Sequence, residues 1–452
     1  MLKKIGILGF GIVGKSYLKF FLKLHANLEI GIWDKRQLED FELKLIKDLN
    51  VKIFNPNQRK IQDFLNQYDY IAISPGFSFE NFQIYKKKII CELDLFSKSF
   101  TGKSIAITGT LGKTTITNLL NLALKKIFKI SVCYGGNIGL PMLNIILQQQ
   151  QIDYSILELS SFQLELNKNF APDIAIWTNF YSNHIDRHKN IKSYFWAKSK
   201  IFKFQNKNQY LIVSASFLKE KLFLQQLNSI KSQIYFVEDV PEKELKEQFI
   251  KLKKKYSNIV FIDKHRFNLN FSILPDITFE QNWLFVLTVL KILKLDFNVL
   301  RRYLETCFNN YFQEHRLEYF ATINGIDFYN DSKATVVQAT LNAMRKLEKK
   351  NKPIILILGG ISKGVDRSFL LKELNNFKRL KKIFCLSKKN KEFVGVKTYP
   401  SFKELFGDIM QIAKPGDQVL FSPSGASFDF FENYKHRGEI FKKFVLNSYK
   451  KG

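Results

Sequence analysis

Two glycine-rich turns, each set between an apolar strand and an amphipathic helix, constrain this chain more than any other feature. The first is Gly9-Phe10-Gly11-Ile12-Val13-Gly14, after KKIGIL and before KSYLKFFLKLH. The second is Thr108-Gly109-Thr110-Leu111-Gly112-Lys113-Thr114-Thr115, after SIAI and leading into TTITNLLNLALKKIF. A strand that passes straight into a helix is returned over its sheet to a parallel neighbour. The chain is therefore expected to be α/β, with mostly parallel sheets.

The remaining pattern agrees and divides in three. LEIGIWD, VKIF and YDYIAIS read as further strands of a Rossmann-like first domain, residues 1–97. A central P-loop ATPase-like domain, 98–311, holds SIAITG, YSILELS and IAIWTN and ends in a helix-rich stretch from Phe279 to about Tyr311. A third, Rossmann-like domain, 312–452, holds IDFYNDS, PIILILGG, KIFCLS and QVLFSPS. The 452 residues suit three domains of roughly 100–200 residues each. The segment from Leu218 to Asn270 is Lys-rich and poor in motifs.

Composition removes several function classes. The apolar run Trp283 to Leu290 meets Lys291 well short of the ~18 residues a membrane span needs. The N-terminal MLKKIGILGFGIVGK imitates a signal peptide, but its glycines and Lys15 break the pattern. Cys91, Cys133, Cys307 and Cys385 are far apart and form no CxxC, which fits a reducing cytoplasm rather than a thiolate zinc site or a disulfide framework. The net charge of +29 would attract polyanions, but the excess is mostly Lys and is spread along the chain. It fits AT-rich codon usage as well, and no nucleic-acid-binding motif accompanies it. No obligate nucleic-acid partner is expected.

The first turn, with Asp34 twenty residues after Gly14, has the spacing of a dinucleotide fingerprint. Three readings fit: an NAD-dependent oxidoreductase, another nucleotide-diphosphate ligand, or a tight turn without a ligand. The second turn misses the strict GxxxxGK[ST] pattern, since its first glycine would fall at Ile107. A shorter form remains, with the same physics: backbone N–H groups and the helix dipole hold phosphate, Lys113 adds charge, and Thr114 can ligate Mg²⁺. A dehydrogenase has no need of it. Two phosphate turns point instead to ATP and a second, nucleotide-linked substrate. Glu158, ending YSILE, suits a Mg²⁺-organising carboxylate. Asn183-His184-Ile185-Asp186-Arg187-His188 places two histidines beside an acid and a base after a strand. By composition alone, Lys198 is one surface lysine among many.

In this order, the segments resemble the Mur ligase family, and within it the branch that adds D-glutamate. The resemblance rests on GFGIVG, ISPG (Ser74 to Gly76), GTLGKTT, GGNIG, LELSSFQLE, NHIDRH, Ala197-Lys198, His315-Arg316, NDSKAT, LGGISKGVD and SPSGASFDFFENYKHRG, and covers nearly the whole chain. It implies an ATP-dependent ligase of cytoplasmic peptidoglycan precursor synthesis, joining D-glutamate to UDP-N-acetylmuramoyl-L-alanine through an acyl phosphate. The alternatives are another acceptor amino acid or, further off, the oxidoreductase. The resemblance places Ile12 and Val13 at the diphosphate, Asp34 and Arg36 at the uracil, Ser74 and Gly76 in the same pocket, and Asn137 and His184 at the sugar or its peptide arm. Gly109, Thr110, Leu111, Gly112, Lys113, Thr114 and Thr115 would hold ATP phosphates, with Asn282, Arg316 and Asp331 as further ATP contacts. Thr114 and Glu158 would ligate one Mg²⁺, and His184 with a carbamylated Lys198 the other. Lys113, Glu158, His184 and Lys198 form the implied catalytic set. Thr335, Lys363, Ser427, Phe428 and Tyr434 correspond to the D-glutamate pocket. Because the substrates would come from different domains, closure of the third domain on ATP is expected, in a monomer. The chain departs from the family pattern at Leu111, Gln281, Phe285, Val336 and Tyr434.

Overall fold

A computed structural model of the chain describes all residues except 1–3, 25–27, 48, 58, 78–81, 83, 149–150, 239–241, 268, 270–273, 275–280, 308–313, 388–391 and 449–452. Three sheets result. The first comprises β1 (Lys4–Leu8), β2 (Glu29–Trp33), β3 (Val51–Phe54), β4 (Tyr70–Ile73) and β5 (Ile89–Ile90), in the order β3-β2-β1-β4-β5. The central sheet comprises β6 (Lys103–Thr108), β7 (Val132–Gly136), β8 (Tyr154–Glu158), β9 (Ile174–Trp177), β10 (Tyr210–Ser214), β11 (Gln233–Val237) and β12 (Ile259–Ile262), in the order β12-β11-β10-β9-β6-β8-β7. Both are parallel throughout. The third comprises β13 (Glu318–Ile323), β14 (Ile326–Asn330), β15 (Ile354–Gly359), β16 (Leu380–Leu386), β17 (Thr398–Tyr399) and β18 (Gln418–Phe421), in the order β13-β14-β18-β15-β16-β17. Here β13 runs antiparallel to β14 and the rest are parallel.

The inner strands are buried on both faces, which is why they read as continuous apolar runs rather than alternating ones; all six residues of β15 are buried. In the first sheet β1 pairs with both β2 and β4, so the strand order reverses beside it and the chain leaves β1 into the first glycine turn. In the central sheet β6 lies between β9 and β8 and leads into the second turn. The motif-poor lysine segment supplies β11 and β12, which extend the central sheet at one edge. The helix after the second turn, Lys113–Asn121, widens over Leu122–Ile127 to i→i+5 hydrogen bonding, with Phe128 N donating to Ala123 O.

By compactness the chain forms two units. One holds the first and central sheets; the other holds the third sheet together with Tyr181–Ile191. The expected boundary at 97/98 falls within the helix Glu92–Ser99, and the one at 311/312 lies outside the described residues. In the first unit one apolar cluster runs from Leu8 and Trp33 of the first sheet, with Phe64 of the helix Ile61–Gln67, to Leu157, Trp177 and Phe236 of the central sheet. Trp177 is its centre, with the rings of Phe217 and Phe195 at 4.7 and 5.0 Å. In the second unit, one cluster gathers Phe328, Phe402, Phe406, Phe421 and Phe441, and another gathers Leu341, Met344, Leu356 and Leu370.

Where the two sheets of the first unit meet, Ser16 Oγ donates to Asn144 Oδ1 at 2.9 Å and Lys168 N donates to Asp94 Oδ1 at 3.0 Å. Glu92 is buried there. One of its oxygens accepts Leu143 N at 3.3 Å and the other has no hydrogen-bond partner. Burial pushes its carboxyl up from 4.5 to about 7. The folded chain thus keeps a proton that the unfolded chain releases, so stability falls as pH rises from about 4.5 to about 7, by roughly 3 kcal/mol. Glu92→Gln is expected to flatten the dependence of the urea midpoint on pH across that window. A variant with the parent's slope would show that Glu92 does not titrate there.

Candidate functional site

The first turn is braced from three sides. Asp34, just past β2, accepts Phe10 N at 2.6 Å and Arg36 N at 3.0 Å. Ser74, just past β4, donates to Gly9 O at 2.8 Å. Gly14 begins the helix Ile12–Leu24 so close to Gly9 O that a Cβ would overlap it. Arg36 pairs bidentately with the buried carboxylate of Glu42 at 2.6 and 2.7 Å, and Lys15 adds a third contact at 2.8 Å. The Arg36 hydrogen bond leads in holding Glu42 at about 2. Ile12 is 75 % exposed, Val13 is half-buried, and open space surrounds the Cα positions of Gly11 and Gly76. The fingerprint residues therefore converge on Gly9 and leave an accessible surface at Ile12.

The second turn gathers two lysines on one carbonyl. Gly112 adopts a left-handed conformation as the cap of the helix Lys113–Asn121. Lys113 Nζ folds back to donate to Gly109 O at 2.9 Å and Thr110 O at 3.1 Å. Lys198, on the helix Ile191–Ser199, reaches the same carbonyl from the other side, with Nζ 2.9 Å from Gly109 O and 3.3 Å from Thr108 Oγ1. It is 2 % exposed, against the surface position its composition suggests. Its Nζ lies 5.0 Å over the ring of Tyr194, whose hydroxyl is 3.4 Å from Thr110 Oγ1. Burial, reinforced by Lys113 and opposed by Glu158, lowers the Lys198 ammonium pKa well below its ordinary value. Thr114 is half-buried and Thr115 buried at the start of the same helix. Asn282, at the start of the helix Asn282–Ile292, is buried with its carboxamide beside Gly112, and its Nδ2 has no hydrogen-bond partner among the described residues.

Glu158 ends β8, next to β6, and is 2 % exposed. Asn137 follows β7 and donates Nδ2 to Glu158 Oε1 at 2.9 Å, while Asn137 N donates to Glu158 O at 2.7 Å. Among the described residues, the buried Glu158 Oε2 has no hydrogen-bond partner. A hard divalent cation takes oxygen ligands, and an orphaned buried carboxylate oxygen is one. No group of three or more His, Cys, Asp or Glu comes together among the described residues. A cation at Glu158 therefore has to draw on other oxygen donors as well: a hydroxyl, a carbamate or a phosphate. Within those terms the residues fit Mg²⁺.

The second unit holds the remaining candidates. His184 caps the short helix Ile185–His188 in a left-handed conformation (φ 55°), its N–H bonded to Asn183 Oδ1 at 2.9 Å. A cavity of about 250 Å³ is lined by Asn183, Thr335, Val336, Val365, Arg367 and Ser424, among others. Lys363 lies 3.4 Å by its carbonyl from Asp186 N, and its Nζ lies 5.6 Å over the ring of Phe428, which is 63 % exposed. Burial lowers its ammonium pKa, with Asp186 opposing. Ser427 is buried. Tyr434 opens the helix Tyr434–Ser448, and its carbonyl accepts Ser332 Oγ at 2.9 Å. Asp331 accepts Leu317 N at 3.0 Å and Ser422 Oγ at 2.6 Å, which ties it to the chain just after Arg316. Burial pushes its carboxyl up to about 7.

Several residues at these places were absent from the sequence reading. Thr178 and Asn179 back the second turn, and Tyr194 lies beneath Lys198. Arg367 lines the cavity. The position of Thr178 and Asn179 at the end of IAIWTN, beside the strand that carries the second turn, was the available signal. Nothing in the sequence marks Arg367, whose guanidinium is used internally by Gly359 O, Gly360 O and Glu392.

Comparison with known proteins agrees with this arrangement. Residues 107–290 match the Mur ligase middle domain. The UDP-N-acetylmuramoylalanine–D-glutamate ligase of Oenococcus oeni is 32 % identical, covering 98 % of this chain and 97 % of its own. That of Aquifex aeolicus is 30 % identical, covering 92 % and 97 %. Among solved structures, the MurF ligase of Thermotoga maritima in complex with ADP shares the fold with a TM-score of 0.56 at 14 % identity, covering 99 % of this chain and 96 % of its own. A pseudomurein peptide ligase type C of Methanothermus fervidus does so with 0.55 at 15 %, covering 98 % and 100 %. The chain belongs to the Mur ligase family, in the branch of the UDP-N-acetylmuramoylalanine–D-glutamate ligases.

Proposed function

We propose that this chain is an ATP-dependent amide ligase that joins D-glutamate to the L-alanine carboxylate of UDP-N-acetylmuramoyl-L-alanine in cytoplasmic peptidoglycan precursor synthesis. The observation that carries the reading is the second turn: Lys113 and Lys198 converge on Gly109 O, with the half-satisfied carboxylate of Glu158 buried in the same sheet. An excess of positive charge beside a strand-to-helix turn is built for a polyphosphate. The free cysteines Cys91, Cys133 and Cys385 suit a reducing compartment. Among the described residues no helix is long and apolar enough to cross a membrane. No obligate nucleic acid or protein partner enters the reading, and the chain acts as a monomer on small molecules.

A carboxylate does not react with an amine until one of its oxygens becomes a leaving group. In the proposed reaction the alanine carboxylate oxygen bonds to the γ-phosphorus and ADP departs. The D-glutamate amine then adds to the acyl carbon, loses a proton, and inorganic phosphate leaves as the amide forms. The chain's part is positioning and charge compensation. Lys113 leaves its loop carbonyls for the phosphate oxygens. Glu158 and Thr114 would hold one Mg²⁺, and His184 with Lys198, as a carbamate, would hold the other. The lowered pKa of Lys198 favours the neutral amine that carbon dioxide modifies. Bound Mg²⁺ supplies the electrostatic compensation that lets one anion attack another. In this reading Ile12 and Val13 serve the diphosphate, Asp34 and Arg36 the uracil, Ser74 and Gly76 the same pocket, and Asn137 and His184 the sugar or its peptide arm. Arg316, Asp331 and Asn282 serve ATP. Thr335, Lys363, Ser427, Phe428 and Tyr434 receive the acceptor, with the Lys363 charge meeting a carboxylate. The residue differences at Leu111, Gln281, Phe285, Val336 and Tyr434 leave this set of phosphate and metal groups in place.

An ADP-release assay with UDP-N-acetylmuramoyl-L-alanine and a panel of D- and L-amino acids tests the whole reading: release is expected with D-glutamate, and a preference for another acceptor would reassign the substrate. Lys113→Ala should abolish release, whereas retained turnover would remove the phosphate role of the second turn. Lys198→Ala should cripple turnover and regain part of it with a short added carboxylate; normal activity would dispose of the carbamate. Thr335→Val should raise the KM for D-glutamate about tenfold, the scale of one hydrogen bond to a charged group, without altering that for ATP.

A further inference from the structure

Leu111 cannot make a polar contact through its side chain, yet its backbone is among the most firmly held in the second turn. Leu111 N donates to Asn179 Oδ1 at 2.9 Å. Leu111 O accepts from Thr178 Oγ1 at 2.6 Å and from Asn179 Nδ2 at 3.1 Å. Thr110 N donates to the same Asn179 Oδ1 at 3.2 Å and also lies 3.2 Å from Asn179 O. One carboxamide thus serves three backbone groups of the turn, and one hydroxyl makes a fourth bond, to the Leu111 O that the carboxamide also reaches. Thr178 is fully buried and packs so closely on Gly109 that a Cβ at 109 would overlap Thr178 Oγ1. Both residues stand just past the end of β9, which pairs directly with β6 in parallel register, Thr108 against Trp177.

A phosphate turn works by holding N–H groups aimed at an anion before the anion arrives. A glycine-rich backbone does not hold that aim by itself, since Gly109 and Gly112 restrict it little. The remaining polar groups must be tied to something rigid. We propose that Thr178 and Asn179 are positioning residues for ATP: as a side-chain clamp on Thr110 and Leu111, they fix the second turn in its phosphate-binding shape whatever side chain stands at 111. The inference rests on the reading that this turn receives the phosphates of ATP. It accounts for a leucine at this place in the turn, because the clamp uses only the backbone there.

The test uses the full chain and Mg·ATP as the probe. Binding is followed by calorimetry, and KM is measured separately for ATP and for UDP-N-acetylmuramoyl-L-alanine. Asn179→Ala removes three side-chain bonds to the turn and is expected to weaken Mg·ATP binding and raise the ATP KM about tenfold or more, the scale of one or two net hydrogen bonds. The KM for the uridine-linked substrate should stay within about twofold, since a loss confined to one ligand separates positioning from general damage. Thr178→Val should shift ATP in the same direction, and Thr178→Ser, which keeps the hydroxyl, should restore it. The valine and serine pair decides the question even if Asn179→Ala does not fold. ATP affinity unmoved in Thr178→Val, or a serine variant as weak as the valine one, overturns the clamp and leaves the ligase reading intact. A parent chain with no affinity for Mg·ATP overturns both.

Discussion

Two lysine side chains meet at one carbonyl oxygen. Lys113 and Lys198 each place Nζ 2.9 Å from Gly109 O, and the acid that bears on Lys198 is Glu158, with one oxygen already held by Asn137. Positive charge gathered beneath a glycine turn is costly unless an anion is supplied or a proton is lost. The lowered Lys198 pKa is the response in the protein alone. Polyphosphate and a modified lysine are the responses the chemistry proposes. Much else in the first unit serves this point. Strand β6 delivers the turn, its neighbours β8 and β9 deliver Glu158 and the Thr178–Asn179 pair, and the core around Trp177 fixes the strand on which that pair follows.

The same principle organises the first turn with the opposite sign. There the buried Glu42 holds Arg36 and Lys15, and Asp34 is occupied by backbone N–H groups. A carboxylate already accepting two N–H groups acts first as a brace. Any uracil recognition by Asp34 is added to that structural duty. The two turns share a strand-to-helix geometry but differ in what surrounds them, paired carboxylates and cations at the first and two converging lysines at the second.

The fold was largely legible. Long apolar strands, glycine punctuation and the helical runs between them leave few alternatives to stacked parallel sheets. The lysine-rich stretch before Asn270 was harder, because β11 and the edge strand β12 are short apolar runs separated by the lysine-rich helix Lys243–Lys253. The candidate site was legible only in part. Gly109 to Thr115 and Glu158 announce themselves by type and spacing. Lys198 does not: a lysine in a chain with 70 Lys and Arg reads as surface, and only packing over Tyr194 and against Gly109 buries it and lowers its pKa. Thr178 and Asn179 are equally ordinary in sequence, and become meaningful because β9 is the neighbour of β6.

The sequence by itself determined the local geometry, since glycines at fixed offsets after a strand permit one kind of turn and the charge of Lys113 is carried in its own motif. Tertiary structure alone decided which groups share a dielectric environment. Burial, strand order and the partner of each polar atom arise from contacts between residues far apart in the chain, and those contacts convert Lys198 and Asn179 from unremarked side chains into direct partners of one turn.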